Sequence, residues 1–199
     1  MENKIAHLQI PIEQVVHKIE QINTEIANFW SNPKGWAPAR AAKLLATSRL
    51  DWQASLSSTL RIWIKKLQNQ PSSGELILAW ANLGSLLEGT MKTLLVVYYE
   101  DYIKDETNIK KASAFNKKKN LPHDPDRLGL EQLKIYFKEQ KLLTDDELDL
   151  VDLIQGYRNV VHAFKDSPLG SATDFHITLR RYLSFLEGVN GRLPYPHNY

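Results

Sequence analysis

The sequence predicts an all-α fold, a single-domain bundle of about five or six helices. Three observations carry this. Apolar residues recur at spacings of three and four along most of the chain, the period of an amphipathic helix. The stretches between them are rich in Pro, Gly and Ser, which interrupt helices. No segment alternates apolar and polar residues between hairpin turns, and the chain shows no internal repeat or low-complexity tract.

From Pro11 to Trp30, Ile12, Val15, Val16, Ile19, Ile22 and Ile26 form one apolar stripe. The sequence 31-SNPKGWAP-38 ends that helix, so residues 1–38 read as an N-terminal helical arm. A second helix is expected over Ala39–Gln68, with Leu45, Trp52, Leu56, Leu60, Trp63 and Leu67 as its buried stripe. In the turn 70-QPSSGE-75, Ser72 and Glu75 have the spacing of a capping box, which satisfies free N–H groups at a helix start. The helix expected next, Glu75–Lys104, is the most apolar segment and belongs in the middle of the bundle. Residues 105–129 read as a long basic loop. A short helix, Leu130–Gln140, comes next. Thr144 and Glu147 then repeat the capping-box spacing, and Asp145 and Asp146 suit the positive end of a helix dipole. The helix they open is expected to reach Phe164, where 165-KDSPLGS-171 turns the chain into a last helix, Asp174–Val189, and a proline-bearing tail, 191–199.

Composition narrows the function classes. The 199 residues carry a formal net charge of only +2, so any polyanion binding must be local. No cysteine is present, which removes disulfides, thiolate metal sites and cysteine nucleophiles. The opening MENKIAHLQIPIEQ has charges spread through it and no apolar core, unlike a secretory signal, and a cytoplasmic location is expected. The run 76-LILAWANLGSLLEGTMKTLLVVYY-99 has the length of a bilayer span, but Glu88 and Lys92 fall in its middle, where charge is costly; no membrane partner is expected. Trp52, Trp63 and Trp80 fall on apolar stripes and read as core. The histidines lack metal-ligand spacing, and there is no phosphate-binding glycine loop or nucleophile elbow, so neither metal nor cofactor is expected.

The chemistry-bearing stretch is 157-YRNVVHAFKD-166. On a helix, Leu150, Leu153, Ile154, Tyr157, Val160, Val161 and Phe164 share one face. Arg158 and His162, four apart, stack on a flank of that face near Leu148 and Val151, with Asn159 farther round. Arg offers a permanent charge and a planar donor fork suited to phosphate. His gives or takes a proton near neutral pH. Together they suit cleavage of RNA, whose 2′-OH is a built-in nucleophile. The same pair also reads as an ordinary surface or helix-end contact.

The segment 158-RNVVHAF-164, together with the central helix 82-NLGSLLEGTMKTLLVVYYEDY-102, resembles the HEPN superfamily of helical domains over about residues 40–190. The family's mark is an Arg followed by a polar residue, with a His shortly after it on the same helix. Arg158, Asn159 and His162 match it, at a shorter spacing than the commonest family pattern. The resemblance implies a metal-independent endoribonuclease, often a toxin or phage-defence effector, with Arg158 on the scissile phosphate, His162 as general acid or base and Asn159 orienting. It also implies a homodimer through the Arg158/His162 helix, to which the flank of Leu148 and Val151 would contribute, and a cognate antitoxin or regulator as partner. Non-catalytic members that bind proteins or nucleotides leave a binding module as the alternative.

Two further constellations bear on this site. Glu88 and Lys92 read either as an i,i+4 ion pair or as a support in which Glu88 orients Arg158 or His162. Lys110, Lys111, Lys117, Lys118 and Lys119 could track an RNA backbone, with Phe115 stacking on a base, or could be the solvated face of a loop. Gly84 and Gly89 read as sites of close helix packing.

Overall fold

Prolines stand at the entrances of the first two helices, where their missing N–H costs nothing. In the computed structural model, which describes residues 10–33, 37–162 and 167–195, Pro11 and Pro38 occupy the N-cap positions of α1 (Ile12–Trp30) and α2 (Ala39–Thr47). Val15, Val16 and Ile19 of α1 are fully buried, so this helix is part of the core and not an arm beside it.

The helix expected over residues 39–68 is two helices. Arg49 adopts a left-handed conformation (φ 45°) between α2 and α3 (Leu50–Lys66). The hydroxyls of Thr47 and Ser48 donate to carbonyls of the last turn of α2, occupying groups that a continuous helix would have paired. The break shifts the phase of everything after it. Leu50, Ser57, Leu60, Ile64 and Leu67 turn inward, Trp63 is half-buried, and Leu56 and Trp52 face outward, with Trp52 59% exposed. Trp52 is thus not core, and the Arg49 guanidinium lies 3.9 Å from its ring centroid.

The central helix α4 (Ser73–Val97) opens with the expected capping box. Ser72 Oγ accepts from the Glu75 N–H at 3.3 Å, and Glu75 Oε2 accepts from the Ser72 N–H at 2.9 Å. Its axis is interrupted at Tyr98, and α5 (Tyr99–Lys104) continues separately. The segment expected as a long loop is instead built. It contains α6 (Glu106–Lys111), capped by the Asp105 side chain, then a two-stranded antiparallel hairpin of β1 (Phe115–Asn116) and β2 (Leu121–Pro122), in which Phe115 pairs with Pro122. A 3-10 turn, Pro125–Arg127, follows. Three small anchors hold the segment down: Ile109, Ala112 and Ala114 are fully buried. Tyr102 Oη donates to the His123 carbonyl at 2.8 Å, and Tyr99 Oη to Asp124 at 2.9 Å.

Next come α7 (Leu130–Glu139), α8 (Asp145–Asn159) with its Thr144–Glu147 capping box, and α9 (Ala172–Asn190). Among the described residues, then, the all-α bundle has nine helices, more than expected because the long ones are broken. The helix α4 packs against α2, α3, α8 and α9, and α1 closes against α3 and α9. No described helix is long and apolar enough to cross a membrane.

Candidate functional site

The site is built where α8 crosses α4. Gly84 permits the crossing: a Cβ there would lie 2.5 Å from Arg158 Cδ and 2.8 Å from its Cγ. The Arg158 stem therefore lies on the backbone of α4. Its Nη1 donates to Glu88 Oε2 at 2.9 Å, one helical turn along. The other oxygen, Oε1, accepts from Lys92 Nζ at 2.8 Å, a turn farther on. Lys92 also donates to the Asp126 carbonyl in the 3-10 turn at 3.2 Å. Both sequence readings of Glu88 thus describe real contacts: it pairs with Lys92 and it holds Arg158. The Glu88 side chain is only 17% exposed, and two charge-assisted hydrogen bonds offset its desolvation. Two cations around one carboxylate leave a single net positive charge on this stripe of α4.

The end of α8 is gripped by its neighbours. The Tyr157 ring stacks on Trp80, centroids 4.4 Å apart. Trp80 Nε1 donates to the Leu169 carbonyl at 2.8 Å. Gly170 follows at φ +66°, and a Cβ on it would approach Tyr157 Cζ to 2.9 Å. Sequence reading passed over this clamp of Trp80, Tyr157 and Gly170. The available signal was a lone glycine shortly before a capped helix, which is too common to single out.

Asn159 and His162 follow Arg158 where the helix changes its winding. The α-helix ends at Asn159, and Val160–His162 tighten into a 3-10 turn. Such a turn advances about 120° per residue against about 100° in an α-helix, which carries His162 out of the i,i+4 stack with Arg158. His162 is exposed. Asn159 is exposed too and lines a cleft of about 450 Å³ with Gly156, Tyr157, Ser167 and Pro168. The expected apolar face is only partly buried: Leu150 and Ile154 are core, Val161 is 44% exposed, and Phe164 lies outside the described residues. Val151 is fully buried, while Leu148 packs on the core and stays part-exposed along a groove with Ile135 and Asp152.

The lysines divide into two groups. Lys110 pairs with Glu106 and sits 4.9 Å above the Phe115 ring, while Lys111 reaches Glu139 at 2.6 Å. Lys117, Lys118 and Lys119 are exposed at the hairpin tip and have no ion pair among the described residues. Asn116 Oδ1 shapes that tip by accepting from the N–H groups of Lys118 and Lys119, both at 3.1 Å. Gly89, unlike Gly84, makes room for a neutral group: the Gln53 carboxamide, which donates to the Leu86 carbonyl at 3.0 Å. Among the described residues, no three His, Asp or Glu side chains cluster in a way that could hold a metal ion.

No family model, curated protein or solved structure matches the chain.

Proposed function

We propose that the chain is a HEPN-type, metal-independent endoribonuclease, in which Arg158 binds the scissile phosphate and His162 transfers the proton. The observation that carries this reading is the grip of Glu88 on Nη1, which fixes the guanidinium while Arg158 stays 30% exposed. A fixed, charged donor costs little reorganisation when it meets a phosphate. His162, exposed four residues farther along the chain, supplies the acid–base group. The 2′-OH attacks phosphorus, its proton passes to a base, the 5′-oxygen leaves with a proton, and a 2′,3′-cyclic phosphate remains. The exposed Lys117–Lys119 tip is the part of the basic segment suited to an RNA backbone. A cognate antitoxin, a role in phage defence and dimerisation extend the same reading, as does a cytoplasmic location.

A second reading is a non-catalytic helical module that binds a protein or nucleotide. The 3-10 turn favours it, because tighter winding takes His162 out of the regular i,i+4 register with Arg158. One experiment separates the two. Purified protein and its His162→Ala variant are incubated with a mixed RNA pool in chelator. The nuclease reading expects cleavage with cyclic phosphate ends by the wild type alone. Equal cleavage by the variant removes His162 from the chemistry. No cleavage by either, with both folded, supports the binding module.

A further inference from the structure

The hairpin of β1 and β2 ends in a cationic tip. Lys117, Lys118 and Lys119 fill three of the four residues between the strands, and all three are exposed. The turn is held in shape. Asn116 Oδ1 accepts from the Lys118 and Lys119 N–H groups, and Asn120 closes it at φ 51°, a conformation that Asn tolerates. None of these lysines has an ion pair among the described residues. Leu121, which opens β2, is left 49% exposed beside them. The tip thus offers free cations and one free apolar side chain on a fixed turn.

A groove of about 550 Å³ between α7 and α8 has the opposite character. Ile135 and Leu148 lie along it and are only partly buried. Its lining carries five carboxylates against two lysines. Lys134 is engaged on both walls, with Glu131 at 2.8 Å and Asp152 at 2.9 Å, and Glu139 turns to Lys111 at 2.6 Å. Asp145 and Asp149 have no ion pair among the described residues, and Lys138 on the α7 wall pairs with neither. These two aspartates are exposed and four apart on α8, a spacing at which like charges repel. A cation brought between them relieves that repulsion.

We propose that this groove receives the hairpin tip of a second copy of the chain, the tip lysines on Asp145 and Asp149 and Leu121 on Ile135 and Leu148. Two observations favour a copy as the occupant. The chain itself carries a segment complementary to the groove in both charge and apolar character, and its own fold leaves that segment unused. Its net charge of only +2 puts little general repulsion between copies. The contact is head-to-tail, unlike a face-to-face pairing of α8 helices. It does not depend on the ribonuclease reading, since neither half includes Arg158 or His162, and a docked tip is withheld from an RNA backbone.

Sedimentation equilibrium of the full chain tests it. The wild type is expected to self-associate with a Kd below about 1 mM at about 0.1 M salt, and to fall to monomer mass at about 1 M salt, where the screening length drops to about 3 Å. A tip variant carries Lys117→Glu, Lys118→Glu and Lys119→Glu together, and a groove variant carries Asp145→Lys and Asp149→Lys. All five side chains are exposed, and circular dichroism checks that both variants keep the fold. Each variant alone is expected to be monomeric. An equimolar mixture of the two is expected to associate again, because the lysine tip of one meets the acidic groove of the other. Wild-type protein that stays monomeric up to about 1 mM overturns the proposal. So does association that survives in either variant, or a mixture that fails to restore it.

Discussion

Arg158 lies with its stem against Gly84 and its guanidinium against Glu88, and each contact depends on the other. A methyl group at position 84 must push the stem away, because Cβ, Cγ and Cδ of Arg158 all lie within about a van der Waals contact of it. The same substitution adds about 1 kcal/mol of helix propensity. Gly84→Ala is therefore expected to leave stability close to wild type while uncoupling Arg158 from Glu88. A double-mutant cycle of Glu88→Gln with Arg158→Gln is expected to give about 0.5–1 kcal/mol of coupling in the wild type, since the pair is partly exposed. In the Gly84→Ala background the coupling should vanish. Coupling of the same size in both backgrounds would mean that Gly84 does not position the arginine.

At the scale of elements, α8 is fixed at both ends by different devices. Its start rests on the Thr144–Glu147 box, with Thr144 Oγ1 accepting from the Glu147 N–H at 3.4 Å and Glu147 Oε2 from the Thr144 N–H at 2.8 Å. Its end rests on Tyr157 between Trp80 and Gly170. Thr144→Ala removes one cap and is expected to cost about 1 kcal/mol. Gly170→Ala is expected to cost about 2 kcal/mol or more, since a left-handed φ alone costs about 1–2 kcal/mol and the new Cβ must also displace the Tyr157 ring. Urea midpoints at constant slope measure both, and Trp80 fluorescence reports whether the stack moves. If Gly170→Ala costs no more than Thr144→Ala, the clamp is not holding the helix end. This contrast also explains what could be read in advance. Caps use neighbouring residues with fixed chemistry, so Ser72–Glu75 and Thr144–Glu147 were visible in the sequence. The Tyr157 clamp joins residues far apart in the chain. The break at Arg49 carries no glycine or proline, and the 3-10 tightening at His162 has no residue signature of its own. The hairpin after α6 rests on three small buried side chains whose spacing resembles a loop. Glu88 was legible because a charge in the middle of an apolar helix must find a partner, but which partner it found depended on where α8 crosses.

At the scale of the whole molecule, the two ends of the described chain meet where α9 docks on α1, and one titratable group is caught between them. Arg180 Nη1 donates to the Ile10 carbonyl at 2.6 Å, and His176, one turn before it, has its Nε2 buried with no partner. Burial is the main force pushing the His176 pKa below its ordinary 6.5. The positive charge of Arg180 adds to it, and Glu13 opposes it. The unfolded chain therefore takes up this proton at a higher pH than the folded one. Where the unfolded state binds more protons, stability rises with pH. The full contribution of a neutral His176 is present above about 6.5 and declines as the pH falls from there toward the depressed folded value. His176→Phe removes the titration and the unpaired nitrogen together. Urea unfolding of wild type and variant between pH 8 and pH 5 is expected to give stability profiles that are parallel above about 7 and diverge below about 6.5, the wild type losing more. Carboxylates that titrate lower, such as Asp174 in the Ser171 cap, contribute equally to both proteins and cancel in the difference. Profiles that stay parallel throughout would show that the histidine is protonated as readily in the fold as in water, and that the closure of α9 on α1 is indifferent to pH.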